Sequence, residues 1–217
     1  MIDIPKKAKA HTVYKNKDGQ RLPGVTTITG QLDKPALIKW ANNLGLQGID
    51  SAKYTDHLAE IGTLAHDMTA CYLRGVECDT SEYTTKQIDQ AENSCLSFYE
   101  WEKDSKLEPI LIEQPLVSEE YQFGGTIDFY GKCNIAQELI DLKTGKAIYP
   151  EMWYQVAGYR ILLREQGYKV DGCRILRIGR DETEGFDDPV KADTTIQEQI
   201  FLSLLELYNL KKLERRG

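Results

Sequence analysis

Three strand-like runs, residues 110–117, 123–130 and 135–143, follow one another with only short turns, Ser118-Glu119-Glu120 and Gly131-Lys132-Cys133-Asn134, between them. Connections this short cannot hold a crossover, so the three runs are expected to pair as an antiparallel meander. The rest of the pattern is helical. Apolar residues recur at helical spacing over 35–46, 55–73 and 84–103 before the meander. After it come a helix over 150–166, a strand over 172–178, an acidic loop over 181–188 and a helix over 194–213. A helix between two strands calls for a parallel pairing, and the sum is an α/β fold with a mixed central β-sheet flanked by helices. One domain over residues 1–217 accommodates this order. Within it, 1–50 reads as an N-terminal hairpin-plus-helix extension and 194–213 as a C-terminal helix. The hairpin is expected from strand-like 12–14 and 25–28 on either side of the Asp18-Gly19 turn signal.

Charge and composition exclude several classes. The net charge of −7 argues against a protein held on DNA or a membrane by bulk positive charge. That charge is unevenly spread: residues 1–50 and 138–180 are net positive, whereas 51–137 and 181–198 are net negative. No apolar run approaches the roughly 18–20 residues of a membrane span, so no membrane association is expected. Residues 1–9 hold three lysines with no apolar stretch behind them, which argues against a secretory signal and for a cytoplasmic setting. Five cysteines, at positions 71, 78, 95, 133 and 173, form no CxxC pair and are expected as reduced thiols. Gly145-Lys146 lacks the upstream glycine of a Walker A loop, which excludes a motor on this motif.

The chemistry concentrates in four places. On an extended strand Asp141 and Lys143 project from one face while Leu142 points to the core, and Asp128 lies on the neighbouring strand. Two carboxylates and a lysine converging there suit a Mg²⁺ site, although a solvated strand face with a surface ion pair fits the same residues. Gly62 and His66, four apart on a helix, share a face, so close packing through Gly62 would bring His66 to the sheet; a merely packed histidine is the alternative. Gln155 and Tyr159 are likewise four apart, facing either a groove or the helix surroundings.

Taken in order, Gly62-Thr63-Leu64-Ala65-His66, Gly125-Thr126-Ile127-Asp128, Asp141-Leu142-Lys143-Thr144 and Gln155 with Tyr159 resemble the PD-(D/E)XK nuclease superfamily. More narrowly the set is similar to its RecB-type exonuclease branch, which includes small phage exonucleases and the mitochondrial genome maintenance exonuclease. The resemblance spans residues 62–159, and 22–28 with 34–41 add a looser likeness to the leader of phage-encoded members. It implies a restriction-endonuclease-like core and a Mg²⁺- or Mn²⁺-dependent deoxyribonuclease, an exonuclease acting on DNA ends or single strands in a bacterial or phage-infected cell. His66, Asp128, Asp141 and the Leu142 backbone carbonyl would hold the metal. Lys143 would be the catalytic lysine, Gln155 and Tyr159 would support the site and strand, and Thr144 would meet a phosphate. Glu113, where several relatives carry an acid, would join as a further metal or supporting group. Iron–sulfur relatives carry a cysteine before the histidine helix and three near the C-terminus; none precedes Cys71 or follows Cys173, so no cluster is expected.

Trp40, Trp153 and Tyr154 are candidates to stack bases, and Lys34, Lys39, Lys146, Arg160 and Arg164 to meet phosphates. The competing function is a catalytically silent DNA-binding or protein-interaction module on the same fold. Its acidic stretches, 51–137 and 181–198, would face a protein partner.

Overall fold

The computed structural model describes residues 12–181 and 183–215, so the reading of residues 1–9 lies outside it. The two long helices before the sheet, over residues 51–74 and 85–105, begin where side chains answer unpaired backbone amides. A short helix α1 (Val25–Thr29) precedes α2 (Pro35–Leu46), which carries proline in its first turn. Helix α3 (Ser51–Arg74) starts at Asp50, whose carboxylate accepts from the Ala52 and Lys53 amides, and stops at left-handed Gly75. Helix α4 (Thr85–Ser105) opens with a capping box between Thr84 and Gln87.

The meander follows as β1 (Glu108–Ser118), β2 (Phe123–Cys133) and β3 (Ala136–Thr144), paired antiparallel in sequence order. Helix α5 (Pro150–Glu165) then crosses over to β4 (Gly172–Ile178), which lies parallel to β3. Two-residue strands β5 (Phe186–Asp187) and β6 (Val190–Lys191) close the outer edge of β4, and α6 (Thr195–Glu214) ends the described chain. The sheet is mixed and helices cover both faces, as the strand and helix order predicts.

Alternation along the strands assigns the two faces. Leu139 and Ile175 pack with Val25 of α1, Val156 and Leu162 of α5 and Phe201 of α6. Their neighbours Ile140 and Leu176 pack on the opposite side with Ala70 of α3 and with Phe98 and Trp101 of α4. No helix among the described residues is long and apolar enough to cross a membrane.

Two expectations need correction. Residues 25–28 are helical, because Val25 and Ile28, three apart, bury one face against α5 and α6, and that packing outweighs the β preference of Val-Thr-Thr-Ile. The turn before them does form: Asn16 Oδ1 accepts from the Gln20 amide at 2.8 Å, and Gly19 takes φ 77°. Its flanks pair only through the single bridge Lys15↔Arg21. The same segment packs on the sheet, since Gly24 bridges Gly124 of β2 and Val25 belongs to the main core. Lastly, the acidic 181–188 stretch contributes β5 as well as a loop, because Asp187 and Asp188 are drawn to Arg177 and Arg174 of β4.

Candidate active site

The site opens where the sheet comes apart. Pairing of β2 with β3 runs from Cys133↔Ala136 to Phe129↔Ile140 and stops. The next residues in that register are Asp128 and Asp141. In place of a ladder bond, the Leu142 amide donates to Asp128 Oδ2 at 2.8 Å, so a side chain wedges the strands apart and still satisfies the backbone donor. Leu142 itself is fully buried in the core under α4.

Helix α3 delivers His66 to this gap. A Cβ on Gly62 would lie 2.7 Å from Thr144 Oγ1, so glycine lets the helix settle this close to the end of β3 without displacing that hydroxyl. One turn on, His66 Nδ1 stands 3.5 Å from Asp128 Oδ1 and 3.8 Å from Glu113 Oε1. Glu113 comes from β1, where flanking pairs Ile112↔Phe129 and Gln114↔Ile127 put it across from Asp128. Its φ of 49° is left-handed, a costly conformation for a non-glycine residue inside a strand. That backbone kink aims the carboxylate at the cluster, where Glu113 Oε1 is buried with no hydrogen-bond partner. One donor atom each from His66, Glu113 and Asp128 all lie within 4.8 Å of one another.

Asp141 and Lys143 sit beside them, joined at 2.6 Å. Asp141 is 1% exposed, and its Oδ1 accepts no hydrogen bond. Burial, then the charge of Asp128, pushes the Asp141 carboxyl up to about 6 despite the adjacent ammonium. Burial works against protonation of His66, but the Asp128 charge, together with the Asp128 and Glu113 carboxylates beside its Nδ1, wins and raises it to about 10. Asp128 is held below the usual carboxylate range: burial opposes this, and the His66 charge leads the terms that overcome it. For Lys143 burial is again outweighed, by Asp141 and then Asp128, and its ammonium is held above the usual range.

Three carboxylates thus share a partly dry pocket with two cations and two orphaned oxygens. That donor set fits a divalent cation: carboxylate oxygens and one imidazole suit Mn²⁺, and the oxygens alone suit Mg²⁺.

Helix α5 forms the opposite wall. Gln155 Nε2 donates to Tyr159 OH at 2.9 Å, and Tyr159 is 5% exposed. Burial first, then the charges of Asp141 and Asp128, pushes the Tyr159 phenol well up, which marks its nearness to the carboxylates. A Cβ on Gly125 would strike the Tyr159 ring at 2.7 Å and Val25 Cγ2 at 3.0 Å, so the glycine three before Asp128 is what admits that ring.

Two contributors escape the sequence reading. Tyr14 lies on Gly124 and its hydroxyl bonds Thr126 Oγ1 at 3.0 Å, a contact spanning over a hundred residues. Arg177, which pairs in register with Lys143, is buried and donates to the Gly145 carbonyl at 2.9 Å, pinning the turn behind the lysine. A charged residue inside the apolar run 172–178 was the available signal, since a buried arginine must find acceptors.

Five of the stacking and phosphate candidates have partners of their own. Trp153 is buried under Lys191, whose ammonium sits 5.0 Å from the ring centroid. Arg160 donates to Thr194 and to the Val170 carbonyl, Arg164 pairs with Glu198 at 2.6 Å, and Lys34 with Glu151 at 3.4 Å. Trp40 packs beside Tyr54. The five cysteines are free.

No protein-family model matches the chain, and no curated protein matches it. Among solved structures it is similar to a candidate exonuclease from Eubacterium rectale, with 16% identity and a TM-score of 0.49 over 71% of this chain. The match spans 66% of that protein, just under two thirds of its length. It is also similar to an alkaline exonuclease from Laribacter hongkongensis, at 12% identity and a TM-score of 0.37, over 70% of this chain and 82% of the other. None of these likenesses reaches a TM-score of 0.5, and the functional reading rests on the site's own geometry.

Proposed function

We propose that this chain is a divalent-metal-dependent deoxyribonuclease of the RecB-type PD-(D/E)XK branch, an exonuclease working on DNA ends or single strands. The observation that carries this is the clustering of His66, Glu113 and Asp128 within 4.8 Å beside the Asp141–Lys143 pair, with Glu113 Oε1 and Asp141 Oδ1 left without donors. Buried acceptors without partners are costly and rare, and a cation held in the His66–Glu113–Asp128 cluster would give Glu113 Oε1 the partner it lacks.

In this reading His66, Asp128, Asp141 and the Leu142 carbonyl hold Mg²⁺ or Mn²⁺, and Glu113 joins them. The metal would supply Lewis-acid polarisation of the scissile phosphate and acidify the attacking water. Lys143 does the rest of the charge work: its ammonium, steered by Asp141, donates to the attacking water or to oxygens that gain charge in the transition state. Gln155 and Tyr159 orient a phosphate from the α5 side, and Thr144 offers a hydroxyl next to the lysine.

The silent-module alternative draws on the acidic stretches 51–137 and 181–198. In the second of these Glu184, Asp187, Asp188 and Glu198 pair with Arg180, Arg177, Arg174 and Arg164, so those carboxylates are spent inside the chain. The test is a time course on end-labelled linear, circular and single-stranded DNA with Mg²⁺ or Mn²⁺, using wild type, Asp141→Ala and Lys143→Ala. Both variants should lose cleavage while keeping the wild-type circular dichroism. Near-wild-type cleavage by folded Asp141→Ala protein overturns the assignment.

A further inference from the structure

A cavity of about 530 Å³ lies between α1 and the last turns of α6. Thr27 and Gln31 line one side; Tyr208, Lys211, Lys212 and Arg215 line the other, and among the described residues no carboxylate does. None of the three cations makes an ion pair among the described residues, in a chain that carries a net charge of −7 and pairs most of its buried arginines. Cations in the last turn of a helix complement its dipole, but that effect needs neither a cavity nor the removal of acids from its walls.

The cavity is joined to the site described above through α1. At one end of α1, Val25 touches the same point as the Tyr159 ring, beside Gly125. At the other, the Gln31 side chain donates to the Leu204 carbonyl at 2.9 Å and ties the helix to α6. Five helical residues span about 7 Å, on the order of two nucleotide rises. Between the ends Thr26 and Thr27 are exposed.

We propose that this cavity is a docking site for the sugar-phosphate backbone of a nucleic-acid strand whose neighbouring segment lies in the active site. It rests on the nuclease reading for the direction of the strand, and on its own lining for the chemistry. Lys211, Lys212 and Arg215 neutralise successive phosphates, Thr27 and Tyr208 supply hydroxyls, and Tyr208 adds a ring face. Contacts of this kind read no sequence.

The test measures binding of a labelled single-stranded oligonucleotide of roughly 20 nucleotides, in an Asp141→Asn background that blocks cleavage. The cavity variant carries Lys211→Gln, Lys212→Gln and Arg215→Gln. A charge-matched control carries Lys53→Gln, Lys86→Gln and Lys103→Gln on α3 and α4. The cavity variant should melt at the parent temperature and bind about tenfold more weakly at moderate salt. Its plot of log affinity against log salt should be shallower by about 2, the value for three phosphate contacts on a single strand. The control should match the parent. An unchanged slope in the cavity variant overturns the proposal, as does an equal loss in the control. It is also overturned if the cavity variant loses affinity for phosphatidylglycerol vesicles but keeps it for the oligonucleotide. The two readings fail separately. Metal-dependent cleavage with an indifferent cavity variant removes the docking site alone; cavity-dependent binding without cleavage by wild type removes the nuclease alone.

Discussion

Replacing Asp141 by asparagine should stabilise the metal-free protein while abolishing cleavage. The carboxyl is 1% exposed and pushed up to about 6, so at neutral pH its ionised form costs on the order of 3 kcal/mol relative to a carboxylate in water. That figure already contains the attraction to Lys143 at 2.6 Å, which does not offset burial and repulsion by Asp128. Asparagine removes the charge and keeps the shape. Its amide brings buried donors of its own, returning roughly 1 kcal/mol of the gain. A net stabilisation of about 1–2 kcal/mol remains, which for a chain of this size raises Tm by about 2–8 °C. The assay is thermal unfolding at neutral pH in EDTA, repeated with excess Mn²⁺. Wild type should gain about 2.7 kcal/mol from metal at a hundredfold excess over Kd, and the variant much less. The opposing view treats Asp141–Lys143 as a buried pair whose rupture strands a charge, and it predicts a loss of about 3–5 kcal/mol. A variant that melts several degrees below wild type in EDTA therefore refutes the reasoning.

The pH dependence of the same site has a definite sign. His66 is raised above its unfolded value, so its contribution is complete below about pH 6.5 and is lost as pH rises toward 10. Stability of the metal-free protein should fall over that window in urea titrations, and His66→Asn should flatten the fall. Gly125→Ala drives a methyl into the Tyr159 ring and should cost about 1–3 kcal/mol with a large loss of cleavage. Urea unfolding and the DNA time course check it together, and an undisturbed variant refutes the close approach. Arg177→Gln frees the Gly145 carbonyl and the carboxylate of Asp187. It should lower kcat more than it raises KM, since it loosens the turn behind Lys143 without touching the substrate surface.

The sequence displays this fold unevenly. The meander, α5 and β4 are legible because turn lengths and apolar periods agree. Helix α1 is not, because Val-Thr-Thr-Ile prefers strand locally and only burial of Val25 and Ile28 against distant helices reverses it. For the site, Asp141 with Lys143 follows from period two, and Gly62 with His66 from a helical turn. Glu113 could be placed only loosely, since its aim depends on a left-handed backbone that no glycine announces. Tyr14 and Arg177 act through contacts made across the chain. Lys211, Lys212 and Arg215 look like any solvated helix end until α1 is seen to face them.

Asp128 carries an obligation that Asp141 does not. One of its oxygens replaces a rung of the sheet by taking the Leu142 amide, while the other faces His66. Strand separation and the donor cluster are therefore a single architectural event, and loss of Asp128 would let β2 and β3 zip toward each other over the site. Asp141 and Lys143 bear no such duty. In descendants of this chain released from selection for cleavage, decay should begin at those two positions. Asp128 would persist after activity had gone, kept as masonry.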